Sequence, residues 1–190
     1  MAQDLFHFTR QFLAAPSQVS AITPSSRFLA RAMATGLGPS TGAVVEFGPG
    51  TGQLTRAILA AGVAASDLTL IEMSAEFTQL LRQRFAGVAV VCSGAQQVAR
   101  FVAPASAGAV ISGLPMLSMP DAQVEAILTA AFTVLQPNGE MRQFTYGNKL
   151  PVSARVMQKL GLVATEGAKV WMNLPPARVY VLKRAVSQSI

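Results

Sequence analysis

The stretch from residue 43 to residue 52, Ala-Val-Val-Glu-Phe-Gly-Pro-Gly-Thr-Gly, constrains the fold of this chain more than any other. It opens with a short run rich in β-branched residues, which suits a strand that is covered on both faces, as in a parallel sheet. The three glycines that follow can adopt backbone conformations closed to other residues and let a ligand approach the main chain. Glu46 stands at the carboxyl end of the run, where open α/β sheets bind their ligands. The stretch therefore predicts a buried strand that ends in a tight turn beneath a bound nucleoside.

A second acidic residue follows at the position that a nucleoside site requires. Residues 67–72, Asp-Leu-Thr-Leu-Ile-Glu, are typical of the next strand, and an acid at its end can accept hydrogen bonds from both ribose hydroxyls. The turn reads Glu-x-Gly-x-Gly-x-Gly, which differs from the Gly-x-Gly-x-x-Gly of dinucleotide sites, and no lysine follows it as in a P-loop. With these residues the chain resembles the class I S-adenosylmethionine-dependent methyltransferases. The alternative is a glycine-rich turn whose acids are purely structural.

Strand and helix patterns alternate along the rest of the chain. Strands are predicted at 43–47, 68–72, 88–92, 108–112, 139–146, 165–171 and 177–183. Helices are predicted at 52–62, 75–85, 95–102, 121–135 and 151–160. Alternating units that end in a hairpin imply a mainly parallel sheet with an antiparallel edge. We expect an α/β fold, a Rossmann-like three-layer sandwich with seven strands, as the resemblance also implies.

Length and composition set the remaining bounds. A chain of 190 residues suits one domain, 1–190, in which residues 1–36 form an N-terminal helical extension. Its 15 basic and 9 acidic residues favour anionic partners, either nucleic acid or an anionic membrane surface. No apolar run is long enough to predict a transmembrane span, and no Cys, His or Asp spacing predicts a metal site. The single cysteine, Cys92, is predicted to be buried filler in the third strand and suits a reducing cytoplasm.

The N-terminal extension contains two predicted helices. Residues 4–15 carry a broad apolar stripe, formed by Leu5, Phe8, Phe12 and Leu13. This helix either caps the core or lies in a lipid headgroup layer. The second helix opens at Thr-Pro-Ser-Ser-Arg, residues 23–27, with Ser25 as its N-cap, where exposed amides attract phosphate or carboxylate.

Four stretches outside the glycine turn make the resemblance more specific. They are residues 23–27, Ser-Gly-Leu-Pro-Met-Leu at 112–117, Gln-Phe-Thr-Tyr-Gly at 143–147 and Asn-Leu-Pro-Pro-Ala-Arg-Val-Tyr-Val at 173–181. With them the chain is similar to the bacterial phospholipid N-methyltransferases, which convert phosphatidylethanolamine towards phosphatidylcholine. The resemblance implies S-adenosylmethionine as methyl donor, S-adenosylhomocysteine as product, and a cytoplasmic enzyme associated peripherally with the inner face of the cell membrane. It leaves the oligomeric state open.

The resemblance also implies a set of site residues. Cofactor contacts are expected from Glu46, Gly48, Gly50, Gly52, Glu72, Met73, Ala95, Gln96, Ser112 and Leu114. Many class I enzymes place an aspartate after the third strand to bind adenine, and here either Gln96 or the backbone at Ala95 is expected to replace it.

For the lipid, contacts are expected from Ser25, Arg27, Tyr146, Trp171 and Arg178. Aromatic faces such as Tyr146, Trp171 and Phe144 attract a methylated ammonium, and the two arginines suit a lipid phosphate. Phe144 and Trp171 also fit as ordinary core residues, and Arg178 as a solvated charge. Water, Tyr146 or Ser112 is expected to relay the amine proton.

Two alternatives to lipid methylation are considered. The ribosomal RNA adenine dimethyltransferases carry Asn-Leu-Pro-aromatic after the fourth strand, where the amide and the ring hold a flipped base. This chain has Gly-Leu-Pro-Met at 113–116 and offers neither group. The other alternative is a non-catalytic scaffold that binds membrane or RNA and keeps the glycine turn as a vestige. Because residues 113–116 offer neither the amide nor the ring that holds a flipped base, nucleic acid is not the favoured partner.

Overall fold

The computed structural model describes residues 24–146, 149–172 and 176–185, with the side chains of 24–26 left aside. The helices are α1 (Pro24–Ala34), α2 (Gln53–Ala60), α3 (Ala75–Arg84), α4 (Asp121–Val134) and α5 (Ala154–Lys159). The strands are β1 (Ala43–Phe47), β2 (Leu68–Glu72), β3 (Ala89–Cys92), β4 (Ala107–Ser112), β5 (Leu135–Tyr146), β6 (Leu162–Val170) and β7 (Ala177–Arg184). Short 3-10 helices lie at Pro39–Thr41, Ala65–Asp67, Ala95–Arg100 and Met116–Ser118.

The seven strands form one sheet in the order β3-β2-β1-β4-β5-β7-β6. Neighbouring strands are parallel from β3 to β5, and β7 pairs antiparallel with both β5 and β6. The predicted sheet with its antiparallel edge hairpin is confirmed. Because every strand except β7 runs in the same direction, their carboxyl ends and the start of β7 share one side of the sheet, which we call the strand-tip edge.

Apolar side chains cover both faces of the sheet. The α4 face carries Phe47, Val110 and Met141 beneath helices α4 and α5. The opposite α1 face carries Leu70, Ile111 and Val179, on which Leu29 and Met33 of α1 pack. Both faces are covered because parallel strands need a helical layer on each side.

Some expectations need correction. The predicted helix at 95–102 is a 3-10 helix, Ala95–Arg100. Strand β5 begins at Leu135, earlier than predicted, and its pairing with β4 shifts register between Ala107 and Ala109. Cys92 ends β3 as expected, but it is exposed and not buried. The predicted helix at 4–15 lies outside the described residues.

Candidate active site at the strand-tip edge

The three glycines after β1 have positive φ angles of 65° at Gly48, 53° at Gly50 and 83° at Gly52. Their surroundings differ. A Cβ at Gly48 would lie 2.8 Å from Leu114 Cδ2, and one at Gly52 would lie 2.4 Å from Phe85 Cε2. At Gly50 a Cβ would meet nothing within 4 Å. Gly48 and Gly52 therefore let the turn pack against protein, whereas Gly50 faces open space where a ligand can approach the backbone.

Glu72 ends β2 beside this turn. Its carboxylate accepts a hydrogen bond from the Gly50 N–H at 3.1 Å and another from the Ser74 N–H at 2.8 Å. These bonds fix the carboxylate next to the open space at Gly50, and each oxygen keeps a lone pair for a further donor. The arrangement suits an acid that accepts ribose hydroxyls, as the sequence predicts.

Glu46 lies deeper, on the α1 face of β1. It is fully buried, and its Oε2 accepts a hydrogen bond from the Thr55 hydroxyl at 2.7 Å. Its Oε1 has no hydrogen-bond partner among the described residues. Burial raises the pKa of Glu46 to about 8, with a smaller contribution from the Glu72 charge, against the lowering effect of the Thr55 hydrogen bonds. A cationic group brought to this carboxyl would favour its ionised form.

These features fit S-adenosylmethionine, the cofactor that the resemblance implies. The open space at Gly50 gives room for the ligand beside the backbone. Glu72 is fixed in place to accept hydrogen bonds from hydroxyl groups. The partnerless Oε1 of Glu46 can accept from the cationic amino-acid end of the ligand.

The other expected cofactor residues are distributed around the same edge. Met73 is 73% exposed and its carbonyl is 3.9 Å from Cys92 Sγ. Ala95 is buried at the start of the 3-10 helix, and Gln96 is exposed with its amide folded back over Gly94. Leu114 lies in the turn after β4, against Gly48.

The two expected proton-relay residues lie on opposite faces of the sheet. Ser112 is fully buried on the α4 face, and its hydroxyl accepts a hydrogen bond from the Leu114 N–H at 3.3 Å. Tyr146 is 42% exposed at the tip of β5, on the α1 face. Tyr146 is therefore the more accessible of the two.

The structure does not bring the three expected aromatic rings together. Phe144 and Tyr146 pack edge to face with their centroids 5.5 Å apart. Trp171 follows β6, and β7 separates that strand from β5. The Lys169 ammonium lies 3.7 Å from the centroid of the Trp171 ring, so this ring already contacts a cation of the chain itself.

The expected phosphate-binding residues have different surroundings. Arg178 is not a solvated charge, because its side chain is 19% exposed and forms an ion pair with Glu166. Arg27 is exposed on α1 and lines a groove of about 720 Å³ between α1 and α2, together with Arg31, Arg56 and Gln53. Helix α1 begins at Pro24, so Ser25 lies in its first turn and does not precede it as an N-cap would. The Ser25 side chain lies outside the description.

Sequence reasoning missed two polar residues near the site, Gln143 and Thr145. Both are buried on the α4 face of β5, and each has an atom without a hydrogen-bond partner among the described residues. The sequence offered a way to find them, because both lie in the 143–147 stretch on which the family resemblance rests, where they alternate with Phe144 and Tyr146. Within the described ranges, no group of three or more His, Cys, Asp or Glu residues is placed to hold a metal ion.

The chain is similar to known methyltransferases. Residues 44–139 match the family described as "Methyltransferase domain". Over 150 residues the chain is 29% identical to the ornithine lipid N-methyltransferase of Singulisphaera acidiphila, covering 75% of this chain and 78% of that protein.

Solved structures show the same fold at low identity. The Burkholderia thailandensis 1,6-didemethyltoxoflavin-N1-methyltransferase with bound S-adenosylhomocysteine is 15% identical with a TM-score of 0.67, and the match covers 97% of this chain and 91% of that one. The Haemonchus contortus phosphoethanolamine N-methyltransferase 1 is 12% identical with a TM-score of 0.67. The match covers 98% of this chain and 50% of that one.

The family match spans half of the chain and includes the glycine turn and both of its acids. Both solved structures share the fold of this chain, and both hold S-adenosylhomocysteine. The chain therefore belongs to the Methyltransferase domain family and is an S-adenosylmethionine-dependent methyltransferase of the class I fold.

Proposed function

We propose that this methyltransferase transfers methyl groups to the primary amine of phosphatidylethanolamine, towards phosphatidylcholine, at a membrane surface. The observation that carries the proposal is the likeness to a lipid N-methyltransferase, 29% identical over 150 residues. That relative is named for ornithine lipid, so the amine of an ornithine lipid is the second candidate acceptor.

Exposed apolar side chains support a lipid-facing strand-tip edge. Most of the large exposed apolar residues lie there, following β2, β4, β5 and β6 or at the start of α1: Phe28, Met73, Leu117, Tyr146, Trp171 and Met172. Exposed apolar residues along the edge that holds a binding site suit an interaction surface. An acceptor held in a bilayer would reach the cofactor site from this side.

Positive charge supports an anionic surface as partner. The chain has a formal net charge of +6. Arg27, Arg31 and Arg56 line the groove between α1 and α2, and no acidic side chain is among its described lining residues. Basic residues near anionic lipid contribute about 1 kcal/mol each. No described helix is long and apolar enough to cross a bilayer. The proposed attachment is peripheral and depends on these basic and apolar side chains.

Methyl transfer requires the protein mainly to align the amine with the methyl–sulfur bond of the donor. Bound S-adenosylmethionine supplies an activated methyl group: the amine lone pair forms the new N–C bond, the C–S bond breaks, and its electron pair stays on sulfur. Glu46, Glu72 and the Gly50 backbone would hold the donor, and the strand-tip edge would place the amine in line with the bond that breaks. The amine must lose one proton for each transfer. Tyr146, exposed at this edge, is the proposed relay to solvent, with the buried Ser112 as the other candidate.

The turn after β4 gives no support to methylation of a flipped base. Met116 occupies the position where the RNA enzymes carry a stacking aromatic, and it is buried in the core. A Cβ at Gly113 would lie 2.9 Å from the Gly48 carbonyl oxygen, so no amide side chain fits at that position.

The test is methyl transfer from labelled S-adenosylmethionine to vesicles that contain phosphatidylethanolamine, ornithine lipid or neither, with undermethylated ribosomal RNA as a fourth substrate. We expect monomethylated and dimethylated phosphatidylethanolamine. Labelling of ornithine lipid alone would replace the proposed substrate, and labelling of RNA alone would refute lipid methylation. Calorimetry with S-adenosylhomocysteine tests the non-catalytic alternative, since a vestigial turn would give no saturable heat.

A further inference from the structure

Three polar side chains form a row on the α4 face at the strand-tip edge. Thr145 of β5 is paired with Arg178 of β7, and Gln143 is paired with Tyr180. Residues paired across antiparallel strands point to the same face, so Gln143, Thr145 and Arg178 are neighbours. We call these three residues the polar row.

Each member of the polar row has one buried polar atom without a hydrogen-bond partner among the described residues. These atoms are Gln143 Oε1, Thr145 Oγ1 and Arg178 Nε. Gln143 and Thr145 are 0% and 4% exposed. Buried polar groups are nearly always paired in native proteins, so three in one row need an explanation.

The hydrogen bonds of Gln143 fix which of its atoms lacks a partner. Its Nε2 donates to the Leu114 carbonyl at 2.9 Å and to the Phe144 carbonyl at 2.8 Å. Carbonyl oxygens only accept, so the amide nitrogen must face them and Oε1 must face elsewhere. Gln143 therefore anchors the turn after β4 and leaves an acceptor free.

The row is chemically asymmetric. Gln143 and Thr145 offer neutral oxygen atoms, which accept from an amine N–H. Arg178 offers a charged N–H donor at Nε, while its Nη1 forms the ion pair with Glu166. Directly opposed side chains lie about 5 Å apart and diagonal ones about 7–8 Å, so the row spans a headgroup with an amine and an anion a few bonds apart.

The neutrality of the acceptors matters for the reaction. A buried carboxylate beside the amine would favour its protonated ammonium form, which has no free lone pair to attack the methyl group. Amide and hydroxyl oxygens orient the amine without that penalty.

Building on the proposed function, we propose that Gln143, Thr145 and Arg178 bind the zwitterionic headgroup of the acceptor lipid. The amine is oriented by Gln143 Oε1 and Thr145 Oγ1, and the adjacent phosphate or carboxylate accepts from Arg178 Nε. Phosphatidylethanolamine and ornithine lipid share this chemistry, so both are included in the test.

The experiment measures initial rates with dihexanoyl phosphatidylethanolamine and a short-chain ornithine lipid as dissolved monomers, which removes membrane binding from the result. Thr145→Val keeps the shape of the side chain and removes only the hydroxyl. We expect its KM for the accepted lipid to rise about tenfold, while the S-adenosylhomocysteine Kd stays within about twofold of wild type. Its melting temperature should not fall, because the hydroxyl removed has no partner among the described residues.

Two control variants separate binding from structure. Thr133→Val removes a hydroxyl that bonds the Thr129 carbonyl within α4, and should leave KM unchanged. Arg178→Gln should raise KM about tenfold or more, whereas Glu166→Gln, which breaks only the ion pair, should not.

Each outcome has a clear consequence. An unchanged KM for Thr145→Val, or a lower melting temperature with only kcat reduced, would overturn the inference while the lipid activity stands. Equal losses for Glu166→Gln and Arg178→Gln would show that Arg178 acts through its ion pair, which also overturns it. If the wild-type protein neither binds either short-chain lipid in the presence of S-adenosylhomocysteine nor methylates it with S-adenosylmethionine, the inference and the proposed function both fail.

Discussion

Replacing Glu46 by glutamine should make this methyltransferase more stable and a weaker binder of its cofactor. Glu46 is fully buried in β1, with one oxygen bonded to Thr55 and the other without a partner among the described residues. Glutamine keeps an oxygen for the Thr55 hydroxyl and carries no charge at any pH. The substitution therefore isolates the cost of keeping an ionisable group in this position.

The magnitude and sign follow from proton linkage. Burial raises the Glu46 pKa from 4.5 to about 8 on folding. Below pH 4.5 both states are protonated and the carboxyl imposes no penalty. Between pH 4.5 and 8 the unfolded state has lost a proton that the folded state keeps, so the free energy of unfolding falls as pH rises. The penalty is about 3 kcal/mol at pH 7, about 5 kcal/mol above pH 8 and less than about 1 kcal/mol at pH 5.

Urea unfolding of wild type and Glu46→Gln at pH 5, 7 and 8.5 measures this penalty. We expect a small stability difference at pH 5 that grows with pH in favour of the variant. Glu76→Gln, which replaces an exposed carboxyl in the first turn of α3, is the control for loss of a charge and should not gain stability over wild type as pH rises, because a negative charge is favourable at a helix N-terminus. A gap between wild type and Glu46→Gln that is constant with pH, or that shrinks as pH rises, would refute the reasoning.

Calorimetry on the same proteins measures how the substitution changes cofactor binding. S-adenosylhomocysteine should bind Glu46→Gln about tenfold or more weakly, because the charge that faces the cationic end of the ligand is lost. Equal affinity for both proteins would mean that Glu46 is a structural residue only.

Three further predictions concern the cofactor turn and the membrane. Gly50→Leu should abolish saturable S-adenosylhomocysteine binding in calorimetry. Gly50 and Gly52 both have positive φ angles, so any side chain strains either position, but Gly52→Ala should lower the melting temperature more than Gly50→Ala, because only its Cβ would meet the Phe85 ring; equal melting temperatures would contradict this contrast. Glu72→Ala should weaken S-adenosylhomocysteine binding by roughly 1–3 kcal/mol, the size of hydrogen bonds to a charged group, and an unchanged Kd would remove Glu72 from the site. A chain truncated before Pro16 should bind S-adenosylhomocysteine normally but lose co-sedimentation with phosphatidylglycerol vesicles; sedimentation equal to that of the intact chain would show that residues 3–15 do not attach it.

The fold was predictable because its signals are local. Alternating patterns set β1, β2 and β7 to within a residue of their observed bounds, and each strand depends mainly on its own apolar run. The glycine turn was predictable for the same reason, although sequence did not show that Gly48 and Gly52 serve packing while Gly50 faces open space. That distinction depends on Leu114 and Phe85, which the fold brings in from later in the chain.

The acceptor side was less predictable because it depends on which strands become neighbours. Trp171 was expected beside Tyr146, but β7 inserts between β5 and β6 and separates them. The same insertion places Arg178 opposite Thr145, a pairing that the local sequence around either residue does not predict. The prediction relied on the aromatic residues Phe144 and Tyr146, which lie on one face of β5. The polar atoms of β5 that lack partners among the described residues lie on the other face.

The two halves of the site meet at Leu114, in the turn after β4. The missing Cβ of Gly48 leaves room for the Leu114 side chain, which ties this turn to the cofactor side. The Leu114 carbonyl accepts from Gln143, which ties the same turn to the polar row on β5. Glu46 and Glu72 lie on the α1 face and the polar row on the α4 face, so donor and acceptor groups approach from opposite sides of the sheet. Since both approaches end at one turn that is held from each side, the proposed methyl transfer would occur beside a fixed element, as a reaction that depends on alignment requires.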